Sequence, residues 1–266
     1  MDVIDSRHDK YLRSIPGLPG VAGVLVSNEK DLVFTSNRGE KTVGVFPFGR
    51  EEKLEKVKVG GFPNGLACDP SRNTLLAANV SKQDDPNPIT ISMVETKKKI
   101  LTADIIVPGR TRWTVFDNKM DRFYVNISNP PQIVAIDSKD PDGIAATYEI
   151  PGTGPHGLDI DLENRRLFCA CDQGGLFTVD LDSGRISRVS DLSGQPDVIF
   201  YNSRLHHLYA AIGEPGVIDV FDTDTMKLVQ TVRTELGAHT IAYRPDANRV
   251  YAFMPESHRA SVFIDE

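Results

Sequence analysis

Apolar and polar positions alternate along the chain in short runs broken by turns rich in Asp, Asn, Ser, Glu and Pro. A period of two is that of strands with one face in a core. No segment sustains a helical spacing of apolar residues over three turns. Six stretches align with one another: VAGVLVSNEKDLVFTSN (21–37), PNGLACDPSRNTLLAAN (63–79), RWTVFDNKMDRFYVNIS (112–128), PHGLDIDLENRRLFCAC (155–171), PDVIFYNSRLHHLYAAI (196–212) and AHTIAYRPDANRVYAFM (238–254). In each, a β-type run meets a polar turn, and a second run follows that is led by large apolar residues such as Val33-Phe34, Leu75-Leu76, Phe123-Tyr124 and Leu167-Phe168. The pattern predicts strand, tight turn, strand, once per stretch.

A third run follows in most stretches, as in TVGVFPF, ITISMVE, QIVAIDS and VIDVFDTDT, and a fourth in KLEKVKV, ATYEIPG, ISRVSDL and LVQTVRT. Four antiparallel strands in a unit of about 40 to 45 residues are the signature of a propeller blade, so an all-β, six-bladed β-propeller is predicted. The second residues of the stretches, Ala22, Asn64, Trp113, His156, Asp197 and His239, recur at intervals of 41 to 49 residues. About one blade's worth of chain is left, divided between the two ends. The expectation is one domain over 1–266, in which residues 1–21, through KYLRSIP, pair with the C-terminal strands and close the last blade. Seven blades is the alternative if a segment precedes Met1, which falls within a repeat.

The phrases LYAAIGEPGVIDVFDTDTMKLVQTV, GAHTIAYRPDANRVYAF and PHGLDIDLENRRLF resemble the YVTN-type propeller repeat proteins. The blade starts PNGLACDP and PDV are similar to those of gluconolactonase and senescence-marker-protein propellers. The resemblance covers nearly the whole chain. It speaks for fold more than for function, since propellers host hydrolases, lyases, electron-transfer partners and binding modules alike.

Composition narrows the partners. The chain has 266 residues, 40% hydrophobic and 25% charged, as expected of a soluble globular protein. A net charge of −7, with TKKKI (96–100) the main basic run, offers a polyanion no field, so nucleic acid is not expected. Three cysteines, Cys68, Cys169 and Cys171, make no even disulfide framework, and the last two are too close along one strand to bridge comfortably. Buried, inert thiols in a reducing compartment are expected. The N-terminus lacks the apolar core of a signal peptide, and no apolar run reaches the length of about eighteen residues that a membrane helix needs. A cytoplasmic monomer without membrane contact is the expectation, and a trimmed start would leave export open.

In a propeller the innermost strands line the channel, so the six second residues should face one opening. His156, Asp197 and His239, from consecutive units, with Asn64 beside them, are a candidate divalent-metal site. The gluconolactonase resemblance puts Asn64 and Asp197 on the motifs that hold that family's cation. It departs at Ala22, where the family has an acidic ligand, and at the two histidines, so zinc, manganese or iron is favoured over calcium. The second strands return to the same mouth and bring Asn37, Arg38, Asn79 and Asp172 there. Trp113 would stack on a substrate, Arg38 or Arg112 would meet a carboxylate, Asn37 and Asn79 would face the ligand, and Asp197 or Asp172 would accept a proton. The function expected is a metal-dependent hydrolase or lyase for a small molecule, with lactone or ester chemistry. The alternative is a non-catalytic propeller that binds a protein or small ligand on its loop face, with SKQDDPNP (81–88) as a recognition loop. The plainer reading of the ring is histidines that only hydrogen-bond backbone or water. The sequences NVS (79–81) and NIS (126–128) match the glycosylation pattern but fall in expected strands, which argues against modification.

Overall fold

The computed structural model describes residues 1–80 and 86–266, so most of the expected recognition loop lies outside the described residues. One turn recurs in every repeat. The first hairpin of each carries a residue in the left-handed region at the same offset: Asp31 (φ 54°), Asn73 (54°), Asp121 (55°), Arg165 (53°), His206 (56°) and Asn248 (47°). In four repeats an Asp or Asn four residues earlier secures the turn. Asp69 accepts from the Arg72 N–H (3.2 Å), Asp117 from Lys119 (2.8 Å), Asp161 from Asn164 (3.1 Å) and Asn202 from Arg204 (3.0 Å). These short side chains mimic a backbone turn, which is why the polar spacer between apolar runs folds back at once.

The strands form six antiparallel sheets and one separate hairpin. The hairpin is β1 (Asp2–Asp5) with β2 (Lys10–Ser14). The first sheet is β3 (Val21–Ser27), β4 (Leu32–Asn37), β5 (Thr42–Pro47) and β6 (Glu55–Lys58). The second is β7 (Phe62–Asp69), β8 (Thr74–Val80), β9 (Thr90–Glu95) and β10 (Ile100–Ile106). The third is β11 (Thr111–Asp117), β12 (Arg122–Ile127), β13 (Gln132–Asp137) and β14 (Ala146–Glu149). The fourth is β15 (Pro155–Asp161), β16 (Arg166–Cys171), β17 (Gly175–Asp180) and β18 (Ile186–Asp191). The fifth is β19 (Pro196–Asn202), β20 (His207–Ile212), β21 (Val217–Asp222) and β22 (Lys227–Arg233). The sixth has three strands, β23 (Ile241–Arg244), β24 (Arg249–Met254) and β25 (Arg259–Ile264). Each follows chain order, and the fold class is the six-bladed β-propeller. Among the described residues no helix is long and apolar enough to cross a membrane.

The chain divides into two compact units, one of residues 1–125 and 134–147, the other of 126–133 and 148–266. In the first, Phe34, Val43 and Val45 of the first sheet pack on Leu66, Leu75, Ala77 and Val94 of the second. In the other, Phe168, Ala170 and Leu176 pack on Ile199, Leu208, Ala210 and Phe221. Middle strands covered on both faces explain the near-continuous apolar runs at LLAA, RLFCAC and LYAAI.

The closure expected at the ends is not the pairing observed. KYLRS pairs with DVID in its own hairpin, and the last sheet stops at three strands. Met1 and Val3 pack against the cluster of Ile15, Leu18, Val33 and Phe46, and Arg13 pairs with Glu51, so local apolar burial fixes the hairpin within the first unit. The Asp9 turn (φ 52°) favours this hairpin in the same way as the left-handed residues of the other turns.

Candidate functional site

Four inner strands open with an irregularity at the column read from the sequence. Register shifts fall between Val21 and Gly23, Pro63 and Leu66, Pro155 and Gly157, and Pro196 and Ile199, and so span Ala22, Asn64, His156 and Asp197. A bulge leaves its residue unpaired and re-aims its side chain. The glycine that follows serves a second purpose, because neighbouring inner strands converge there. A Cβ on Gly23 would lie 2.4 Å from the Asn64 carbonyl, on Gly65 2.7 Å from the Arg112 carbonyl, and on Gly157 3.1 Å from the Asp197 carbonyl.

In the second unit this geometry joins four side chains in a line. His156 Nδ1 lies 2.7 Å from Asp172 Oδ1, and His156 Nε2 lies 2.9 Å from Asp197 Oδ1. The other oxygen of Asp197, Oδ2, is 3.6 Å from His239 Nε2. His239 Nδ1 donates to the Gly237 carbonyl at 2.7 Å, which leaves Nε2 as the nitrogen facing Asp197. His156 is buried at 8% exposure, the two aspartates are partly buried, and the His239 side chain is 54% exposed. A carboxylate oxygen accepts hydrogen bonds, so each contact is made by an N–H of the His156 ring where that nitrogen carries a proton.

The support beneath this line is specific. Asn126 Nδ2 donates to the carbonyls of His156 and Gly157, each at 3.0 Å, and Asn126 Oδ1 accepts from the Cys169 thiol at 3.6 Å. The Asp172 N–H donates to the Gly154 carbonyl (2.8 Å), and a Cβ on Gly154 would lie 2.7 Å from Asp172 Oδ2. Asn126 escaped the sequence reading except as a glycosylation match. Its signal was an amide inside the apolar run FYVNI, where a fully buried polar group has to be hydrogen-bonded.

The other expected residues are distributed differently. Asn64 Oδ1 accepts a short hydrogen bond from Arg38 Nη2, so these two act as a pair in the first unit. Trp113 and Arg112 are partly buried on β11, with the Arg112 carbonyl against Gly65. Asn37 and Asn79, expected to meet a substrate, are buried inside their sheets instead. Asn37 donates to Thr42 Oγ1 at 3.1 Å, and Asn79 to Thr90 Oγ1 at 3.0 Å and Ser92 Oγ at 2.8 Å. Their strands place them beside cross-strand hydroxyls, and that contact satisfies the amide nitrogens without a ligand.

A metal fits this donor set poorly. Both ring nitrogens of His156 lie within hydrogen-bond distance of carboxylates, and Asn64 is held by Arg38. Among the described residues, no three His, Cys, Asp or Glu side chains are grouped to hold a metal. His239 Nε2 and Asp197 Oδ2 face each other at 3.6 Å.

Burial raises the Cys68 thiol to about 12 and lifts Cys169 well above its usual range. All three cysteines are free, with Cys169 and Cys171 fully buried, the state of inert core thiols.

Comparison with known proteins places the fold and nothing finer. No family model matches the sequence, and no curated protein matches it. Among solved structures, hydrazine synthase of Kuenenia stuttgartiensis superposes with a TM-score of 0.87 at 14% identity, over 99% of this chain and 89% of that one. A functionally unknown protein from Desulfotomaculum acetoxidans gives 0.80 at 12% identity, over 99% and 88%. A chain of a mitotic checkpoint complex gives 0.81 at 10% identity, over 99% and 81%. At such identities the shared property is the propeller. The resemblance to YVTN-type and gluconolactonase-like proteins finds no family match behind it.

Proposed function

We propose that the chain is a small-molecule hydrolase or lyase that works by general acid–base chemistry at His239 and Asp197. The observation that carries this reading is the line Asp172, His156, Asp197, His239, with contacts of 2.7, 2.9 and 3.6 Å. Buried His156 fixes Asp197 in place, and Asp172 fixes His156. The exposed His239, oriented through Gly237, presents Nε2 for a proton given to or taken from a bound substrate. A lactone or ester is the substrate class suggested by the gluconolactonase resemblance of PNG and PDV.

The test is hydrolysis of a panel of lactones and simple esters by the purified chain and by His239→Gln and Asp197→Asn. Each substitution is expected to lower kcat by about a hundredfold or more. Turnover that persists in both variants, or none with any panel member, overturns the reading. The sequence-derived metal remains a separate proposal. It requires Asp172 or Asp197 to release His156, and it is tested by elemental analysis of the purified chain and by His156→Ala, which should remove any bound zinc, manganese or iron.

A second reading is a non-catalytic platform for a protein or small ligand. What favours it is the likeness in fold to a chain of the mitotic checkpoint complex, a protein assembly. Partner capture that survives His156→Ala and His239→Gln would support it over the enzyme.

A further inference from the structure

The sheet that bears His156 carries a polar cavity at its other end. β15 begins beside His156 and runs to the Asp161–Arg166 turn, and there a cleft of about 400 Å³ opens. Its walls include Arg166, Thr178, Asp180, Arg185, Ser187 and Asp224. Thr178 on β17 stands directly opposite Ser187 on β18, and one rung further the Asp180 N–H meets the Arg185 carbonyl at 2.9 Å. Side chains two residues apart share a face, so hydroxyls, carboxylate and guanidinium form two adjacent rungs on one surface. Asp224, from the turn after β21, contributes the remaining carboxylate, and its side chain is 60% exposed.

Much of this polarity is already engaged, which narrows what the cleft can accept. Arg166 is spent on Asp161 Oδ2, through Nε at 3.3 Å and Nη2 at 3.0 Å, and stacks over the Phe168 ring at 4.9 Å. Asp180 takes three hydrogen bonds, from the Asp182 and Ser183 N–H groups and the Ser183 hydroxyl, all on Oδ1. Asp224 meets His206 Nδ1 at 2.9 and 3.1 Å and keeps further acceptor capacity on both oxygens. Arg185 has no carboxylate within ion-pair distance of its guanidinium among the described residues, and the Thr178 and Ser187 hydroxyls have no hydrogen-bond partner there.

We infer that this cleft binds a small zwitterion of the α-amino-acid type. Its carboxylate lies against Arg185 and the Thr178 and Ser187 hydroxyls, and its ammonium lies toward Asp224 and Asp180. An inorganic anion would meet the same guanidinium but be repelled by two carboxylates, and an uncharged polyol would leave Arg185 unanswered. A guanidinium and carboxylates that line one cleft are answered together only by a ligand that carries both charges. The volume falls within the usual range of roughly 300 to 1,000 Å³ for small-molecule sites.

The test is a titration of ¹⁵N-labelled full chain with L-serine, L-glutamine and L-aspartate, read at the Thr178 and Ser187 amides, beside N-acetyl-L-serine, L-serinamide and inorganic phosphate. At least one free amino acid should bind about tenfold more tightly than either blocked serine, and Arg185→Gln should weaken it by about tenfold or more. Binding should be unchanged in His239→Gln, which separates this cleft from the proposed acid–base site. Both changes are on exposed side chains, and Arg185→Lys, which keeps the charge, should retain part of the affinity. No amide shift with any free amino acid, equal affinity for the blocked serines, tighter binding of phosphate, or indifference to Arg185→Gln each overturns the inference.

Discussion

His156 reaches Asp197 across a glycine: the 2.9 Å contact between Nε2 and Oδ1 exists because Gly157 lets β15 come within van der Waals range of β19. A methyl group at Gly157 would lie 2.9 Å from Ile199 Cγ2 and 3.1 Å from the Asp197 carbonyl. Gly157→Ala should therefore force the two strands apart, with a stability loss of about 1 to 3 kcal/mol, the range for overpacking a close contact. Gly143→Ala, where a Cβ would meet nothing within 4 Å, should leave stability unchanged. Thermal unfolding of the two variants checks this, and equal melting temperatures would contradict it.

The pairing of His156 predicts an asymmetric response to loss of its partners. Asp197→Asn removes the carboxylate shared by His156 and His239 from the side of a buried ring that also meets Asp172. A hydrogen bond to a charged group contributes about 1.5 to 3 kcal/mol, so Asp197→Asn should destabilise by a similar amount. His239→Gln, at a side chain that is 54% exposed, should cost little. Urea unfolding of both variants distinguishes the two, and a larger loss for His239→Gln would count against the line.

Two aspartates, Asp69 buried and Asp159 partly buried, make stability respond to pH in opposite directions. Burial raises the pKa of Asp69, but hydrogen bonds from Ser138, Ser71 and Arg72 outweigh it and bring the carboxyl to about 2. A depressed carboxylate favours folding above its unfolded value of 3.8, so about 2 kcal/mol of stability should be lost as pH falls from about 4 to 2. Asp69→Asn should flatten that acid limb.

Asp159 behaves in the reverse sense. Burial raises its carboxyl to about 6, against the hydrogen bonds it accepts from the Tyr201 and Ile160 N–H groups. Its protonated form is favoured in the fold, so this contribution is complete below 3.8 and is lost as pH climbs to about 6, by up to about 3 kcal/mol. The stability of Asp159→Asn relative to the parent chain should improve across that interval. A difference that stays constant from pH 4 to 7 would exclude the shift.

Thiol reactivity gives an independent check on the core. With Cys169 and Cys171 fully buried and the Cys68 thiol at about 12, the native chain should react slowly with a thiolate-seeking reagent at neutral pH. Unfolded in urea, it should titrate three thiols. Rapid native labelling of one thiol would mark Cys68 as more open than its environment implies.

The sequence by itself determined the blades. Strand alternation, the left-handed turn position and the spacing of Ala22, Asn64, His156, Asp197 and His239 are local properties, set by side-chain period and turn sterics, and so are written in adjacent residues. The same column marked His156, Asp197 and His239 as neighbours, and the return of the second strands added Asp172. Tertiary structure decided what those groups do to one another. Burial and two facing carboxylates engage both nitrogens of His156, a bulge aims its ring, and Asn126 on β12 holds its backbone. Asn37 and Asn79 likewise satisfy their neighbours inside a sheet, and the N-terminal strand pairs within its hairpin, because contacts between distant residues weigh burial against hydrogen bonding in ways that no local pattern records.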